Sequence, residues 1–203
     1  QGCVMTRVAI IDSGGANIAS LLYAFERLGA AAELTTDAEI IRRSPRVLLP
    51  GVGAARNAMQ RLQDANLVDV IRSLTQPVLG ICLGMQLLCD ASEEENVECL
   101  GLVPGVAKRL SVADDYPVPT RGWCATTTSS PHPLLDRLDA GSYYYLVHSY
   151  AVPVSENTLA TARHTGEFSA VIGKENFVAA QFHPERSSKA GARLLQNFLD
   201  IPA

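Results

Sequence analysis

Residues 77–88, PVLGICLGMQLL, carry an apolar run into a cysteine held between two glycines. Gly80, Cys82 and Gly84 have the form G-x-C-x-G, the thiol version of the nucleophile elbow, where a strand turns sharply into a helix. Sterics call for both glycines: the turn strains the nucleophile's backbone, and a Cβ on either neighbour would clash. The turn lifts the sulfur above the sheet and sets it at a helix N-terminus, where the dipole and free N–H groups favour thiolate. The N–H of Leu83 then points at the same spot and can stabilise an oxyanion. A free cysteine can also be a small packed hydrophobe. The paired glycines favour the nucleophile.

A thiolate nucleophile needs a base. Of the four histidines, His132 lies between prolines and His164 precedes Thr-Gly, so both are expected to face solvent. His148 reads as a structural residue ending a strand. His183 ends the apolar run FVAAQF and is followed by Pro184 and Glu185. Across a rigid proline, imidazole and carboxylate can lie side by side, with Glu185 fixing the tautomer and supporting the imidazolium of a Cys-His-Glu triad. HPE is equally compatible with a strand-ending turn. Zinc deaminases also use His-x-Glu but add a P-C-x-x-C that is absent here, so no metal is expected at Cys82, His183 and Glu185. Upstream, LLPGVGAA places Gly51-Val52-Gly53 after another apolar run. This loop lacks the G-K-[ST] of a phosphate loop and the third glycine of a dinucleotide fingerprint. Beside a thiol elbow it makes sense as the second wall of an oxyanion hole.

The elements that must hold these residues alternate in the first half. RVAII, AELTT and residues 47–49 and 77–81 read as strands; residues 18–28, 54–74 and 84–89 read as helices. That alternation implies a parallel sheet covered on both faces. The second half is rich in β-branched and aromatic residues with turns between, several strands looking antiparallel, and KENF joining FSAVIG to FVAAQF as a hairpin. Residues 189–199 close as a helix. The expectation is an α/β protein: one three-layer domain with a central mixed, mostly parallel sheet flanked by helices. In such sheets ligands gather at the carboxyl ends of strands, where both PGVG and GICLG lie.

The 203 residues are 47% hydrophobic, with 17 basic and 21 acidic side chains and a net charge of -4. No basic run occurs, which argues against nucleic acid as partner, and no apolar stretch approaches the ~20 residues of a membrane span. Glu93-Glu94-Glu95 reads as a solvated turn or helix end. No signal peptide is read at the N-terminus, where Met5 reads as the natural start and residues 1–4 as a remnant ahead of it. Five cysteines without a C-x-x-C pair fit a reducing cytoplasm.

GICLGMQ, with PGVG upstream and FHPE near the C-terminus, resembles the class I, triad-type glutamine amidotransferases. Within that family, Met85, the YYYLVHSYA strand with GW before it, the opening IDSGGANIASL and the closing QFHPERS resemble the glutaminase subunits of histidine biosynthesis. The resemblance runs from Met5 to the end, making residues 5–203 one glutaminase domain. It implies that Cys82 attacks the carboxamide of glutamine, that His183, held by Glu185, passes the proton to departing ammonia, and that water then releases glutamate from a thioester. Leu83 and the Gly51-Val52-Gly53 loop would hold the oxyanion, the loop after a peptide flip. Gln86 would hydrogen-bond the substrate, and backbone near Ser149 and Tyr150 would hold its amino-acid end. No cofactor is implied. Ammonia would pass to a (β/α)8 cyclase subunit in a heterodimer, with Asn17, Trp123, Tyr145 and Arg186 at the interface. Core packing is the other reading of Trp123 and Tyr145.

Where the family reads PHMGWN, this chain has Pro119 to Cys124 as PTRGWC. The change bears on partner fit more than on the triad. Three alternatives stand beside this reading: an amidotransferase feeding another synthase, which would commonly carry His at position 85; a free-standing cysteine γ-glutamyl hydrolase; and a decayed regulatory subunit.

Overall fold

The computed structural model describes residues 6–15, 17–139 and 141–202; the expectations for residues 1–4 and Met5 lie outside them. Its main sheet opens with four parallel strands, β1 (Arg7–Ile11), β2 (Ala31–Thr35), β3 (Arg46–Gly51) and β4 (Val78–Cys82). Between and after them lie α1 (Ile18–Arg27), α2 (Ala38–Arg43), α3 (Ala55–Asp64), α4 (Val68–Arg72) and α5 (Leu83–Leu88). Short strands β5 (Ala91–Ser92), β6 (Val97–Glu98) and β7 (Val106–Arg109) join β11 (Tyr150–Ala151) in a small side sheet. Strands β8 (Thr120–Ala125) and β10 (Tyr143–His148) form an antiparallel ribbon. The main sheet is completed by β9 (Thr127–Thr128), β12 (Thr158–Arg163), β13 (Glu167–Lys174) and β14 (Phe177–Ala180), before α6 (Ser188–Asp200). Its order is β2-β1-β3-β4-β14-β13-β12-β9. Pairing is parallel through β14 and antiparallel beyond it, the mixed, mostly parallel sheet expected.

Alternation along the central strands makes the three layers. Val8, Ile10 and Leu48 point into one core with Leu21, Phe25, Leu194 and Phe198 of α1 and α6. Ala9, Ile11, Val47 and Leu49 point into another with Met59, Leu62 and Ile71 of α3 and α4. A strand buried on both faces needs an unbroken apolar run, which is why RVAII and VLLPG lack polar alternation.

One expected helix is two. Residues 54–74 break after Asp64, where Asn66 takes φ 56°. Leu67 N–H bonds the Leu62 carbonyl at 2.8 Å and Asn66 N–H that of Gln63 at 2.9 Å. This pairing is a Schellman stop, with asparagine tolerating the left-handed position that usually takes glycine. The KENF hairpin is as expected, Lys174 pairing Phe177.

Candidate active site

Strands β3 and β4 are neighbours, with Gly51 opposite Cys82 in register. Their carboxyl ends therefore bring the Gly51-Val52-Gly53 loop beside the elbow. Cys82 sits at φ 54°, ψ −112°, outside the ordinary regions for a side-chain-bearing residue. Such a backbone costs on the order of 1–3 kcal/mol and persists only where its surroundings force it. Here they do: a Cβ on Gly80 would lie 2.9 Å from the Gly84 carbonyl oxygen, and Gly84 itself presses on β3. Gly15 is similarly pinned, its would-be Cβ 3.3 Å from the Val52 side chain, so the SGG turn after β1 backs the Val52 loop.

A cavity of about 270 Å³ opens over the elbow, lined by Val52, Gly53, Cys82, Leu83, Gln86, Glu94, Pro119, Val147, His148, Ser149, Tyr150 and His183. Eight of the residues expected in the site thus share one wall. Gly51 lies in β3 and Glu185 behind His183. His183 Nδ1 is 2.9 Å from Glu185 Oε1, both side chains buried, while His183 Nε2 has no hydrogen-bond partner among the described residues. Burial alone would push the His183 ring towards neutrality, but the Cys82 and Glu185 groups beside it outweigh this and raise it to about 10. The backbone of His183 is tied down as well. Its N–H bonds the Tyr145 carbonyl at 3.0 Å, and its own carbonyl accepts from Ser187 Oγ at 2.6 Å. Ser187 Oγ in turn accepts from Tyr145 N–H at 2.9 Å. A hydroxyl with one hydrogen and two lone pairs thereby locks His183 to the β8–β10 ribbon.

Gln86 is buried, not on the helix surface. Its two amide hydrogens go to the Tyr150 carbonyl at 2.9 Å and to Gln181 Oε1 at 3.2 Å, leaving only its carbonyl oxygen for a substrate. Tyr150 O also lies 2.9 Å from His148 Nδ1. A carbonyl only accepts, so Nδ1 carries the hydrogen. Burial, partly offset by that carbonyl, pushes His148 down to about 4 and keeps it neutral. It ends β10, as expected, and it also lines the cavity.

Two histidine expectations are corrected. His164 is buried, its Nε2 3.1 Å from the Pro117 carbonyl and its ring edge-on to Tyr116. His132 is half-buried, its Nδ1 accepting from Leu134 N–H at 3.0 Å as a cap. Both loops fold back on the domain because their backbone groups find partners there. The acidic block is not simply solvated either. Glu93 accepts from Arg109 N–H, Glu94 from Ala55 N–H at the start of α3, and Glu95 pairs with Arg56. Glu94, Gln181 and Ser187 are site residues that sequence reasoning does not find. A polar Gln181 inside the apolar strand run FVAAQF is the signal available for one of them.

Of the residues expected at the interface, three form one cluster. Trp123, 54% exposed, meets Tyr145 edge-on at 6.2 Å, and Arg186 lies 4.2 Å over the Tyr145 ring. Asn17 instead caps α1, its side chain accepting from Ser20 N–H. A larger cavity, of about 310 Å³, lies away from the elbow between Met59, Asn66, Arg72 and Cys99. Burial pushes Cys99 up to about 11 and Cys89 to about 12, so both stay neutral thiols, and no histidine lines this cavity. No helix among the described residues is long and apolar enough to cross a membrane.

The fold resembles that of a protein described as part of a GMP synthase from Thermoplasma acidophilum, at TM-score 0.74 and 17% identity over 98% of this chain and 95% of that one. PurLQS of Thermotoga maritima gives TM-score 0.72 at 16% identity, covering 97% and 99%. In sequence the chain is far closer to two proteins named as imidazole glycerol phosphate synthase subunits. HisH 2 of Legionella pneumophila (strain Lens) is 48% identical over 96% of this chain and 98% of that protein. HisH of Xanthomonas axonopodis pv. citri (strain 306) is 48% identical over 97% and 98%. The family model described as glutamine amidotransferase class-I matches residues 9–201. With that match running from the first strand to the last helix, the chain belongs to the class-I glutamine amidotransferases.

Proposed function

We propose that the chain, residues 5–203 acting as one domain, is the glutaminase subunit of an imidazole glycerol phosphate synthase of the cytoplasm, supplying ammonia for histidine biosynthesis. One observation carries the chemistry: a thiol on a strained elbow and an imidazole backed by a carboxylate share one cavity wall. The relatives at 48% identity support the assignment to this synthase.

In this reading Cys82 Sγ, its proton passed to His183, attacks the side-chain carboxamide carbon of glutamine. The charge that develops on oxygen is met by the N–H of Leu83 and the Gly51-Val52-Gly53 loop. His183 then gives its proton to the departing nitrogen. The C–N bond breaks, ammonia leaves, and a γ-glutamyl thioester remains on Cys82. Water adds with His183 as base, the C–S bond breaks, and glutamate is released. Glu185 keeps the ring oriented and supports its positive charge at both stages. The Ser149–Tyr150 backbone and the Glu94 carboxylate suit the carboxylate and ammonium ends of the amino acid. Ammonia passes to a (β/α)8 cyclase subunit docked over Trp123, Tyr145 and Arg186, with Asn17, the cap of α1, also at the interface, and the pair works as a heterodimer.

Glutamate release is measured for the chain alone and with a cyclase barrel subunit plus its nucleotide ligand, with Cys82→Ala beside both. Strong stimulation only in the mixture is expected. Equal turnover without the partner would point to a free hydrolase, and none in either to a decayed subunit.

A further inference from the structure

Besides His183, the Cys82 sulfur has two polar neighbours of opposite kind. As a thiol it donates to the Val147 carbonyl at 3.9 Å, and it accepts from Gln181 Nε2 at 3.8 Å. The first contact favours the thiol, since a carbonyl repels a thiolate. The second favours the thiolate, since an N–H donor bonds better to a charged acceptor. Gln181 is fully buried and stands outside the triad and the oxyanion loop.

We propose that Gln181 is a catalytic residue that donates a hydrogen bond to the Cys82 thiolate, its orientation set by a chain of amides ending at the Tyr150 carbonyl. Polarity decides each link. The Tyr150 carbonyl can only accept, so Gln86 turns its Nε2 towards it. That nitrogen has a second hydrogen, which bonds Gln181 Oε1. With its oxygen engaged there, Gln181 presents its nitrogen to the sulfur. The amide cannot flip without setting two nitrogens face to face and a carbonyl oxygen against the sulfur. His148 Nδ1–H, the other group at the Tyr150 carbonyl, holds the far end of the chain. At 3.8 Å the contact is long, and such bonds tighten in the reacting complex. Gln86 is then a positioning residue acting through Gln181, as well as a wall of the substrate cavity.

The inference rests on Cys82 being the nucleophile, and its test separates the two. Iodoacetamide alkylation is followed at neutral pH by mass spectrometry of the peptide that carries Cys82, in the isolated full chain and without glutamine. Gln181→Met keeps the volume and removes the donor. Gln181→Glu keeps an acceptor for Gln86 but puts a carboxylate beside the sulfur. Gln86→Met breaks the chain one link away. Gln181→Met is expected to alkylate about tenfold more slowly than wild type, equivalent to about 1.4 kcal/mol. Gln181→Glu should be slower still, and Gln86→Met slowed by a lesser factor. In the stimulated complex the same variants should lower kcat more than they raise KM. If Gln181→Met does not fold, the Gln181→Glu rate decides. Folded variants that alkylate at the wild-type rate would overturn the role of Gln181. A wild-type chain whose Cys82 resists alkylation altogether would overturn the nucleophile on which it rests.

Discussion

Gly84, in the first turn of α5, lies so close to Leu49 of β3 that a Cβ on it would sit 1.8 Å from the Leu49 carbonyl oxygen. The helix that follows Cys82 is therefore pressed directly onto the strand that delivers the Gly51-Val52-Gly53 loop. Gly84→Ala must push the two apart. It should cost about 3 kcal/mol or more, in the range of strained or overpacked core substitutions, and abolish labelling of Cys82. Gly166→Ala, where an added Cβ meets nothing within 4 Å among the described residues, is the control. Paired thermal melts check this, and a Gly84→Ala chain as stable as wild type would contradict it.

The 2.9 Å contact between His183 and Glu185 is buried and has no solvent to replace it. Glu185→Gln preserves size while removing the charge, and it can present N–H where the ring needs an acceptor. In the stimulated complex kcat should fall by up to roughly 10⁴-fold, the scale seen when a triad carboxylate is made an amide, with KM little changed. Steady-state glutaminase kinetics provide the check. A loss of less than about tenfold would remove Glu185 from the mechanism.

His183 also ties stability to pH. Its folded value is raised from the ordinary 6.5 to about 10. The protonated ring therefore stabilises the fold fully below the unfolded value, and that contribution is lost as pH rises through the folded one. The melting-temperature gap between wild type and His183→Gln should be widest on the acid side of this window and shrink towards its alkaline end. A gap that stays constant or grows with pH would contradict the assignment.

Arg121 stands on the exposed face of β8, two residues from Trp123, and pairs in register with Val147 of β10. Arg121→Met should leave labelling of Cys82 by a glutamine analogue intact and change the concentration of cyclase subunit needed for stimulation. The change should be tenfold or less, since an exposed ion pair is worth about 1 kcal/mol at most. Titration of the partner reads it. Loss of labelling in this variant would show that the ribbon residue supports the nucleophile itself.

Much of this protein is legible along the chain because the information is local. The elbow needs glycine two residues either side of Cys82, and contacts at Gly80 and Gly84 give the reason. His183 and Glu185 meet because only a proline separates them. The β-α alternation is readable because strands buried on both faces must be apolar throughout, and Val8, Ala9, Ile10 and Ile11 are all fully enclosed. Residues 54–74 read as one long helix because a single asparagine can stop a helix through backbone bonds that composition does not announce.

What the tertiary structure alone decided is which distant polar groups face one another. Gln181 meets Gln86 across 95 positions and Cys82 across 99, Ser187 joins Tyr145 to His183, and His164 is buried beneath a segment 47 residues away. A donor's partner is chosen by whichever acceptor the packed layers bring within hydrogen-bond reach, and burial makes that choice binding because an unmet polar group is costly away from water. Residue types and spacing along the chain determine the glycine-flanked Cys82, the His183-Pro184-Glu185 turn and the alternating frame that carries them. The orientation of each supporting amide, hydroxyl and imidazole follows only once the sheet has closed around them.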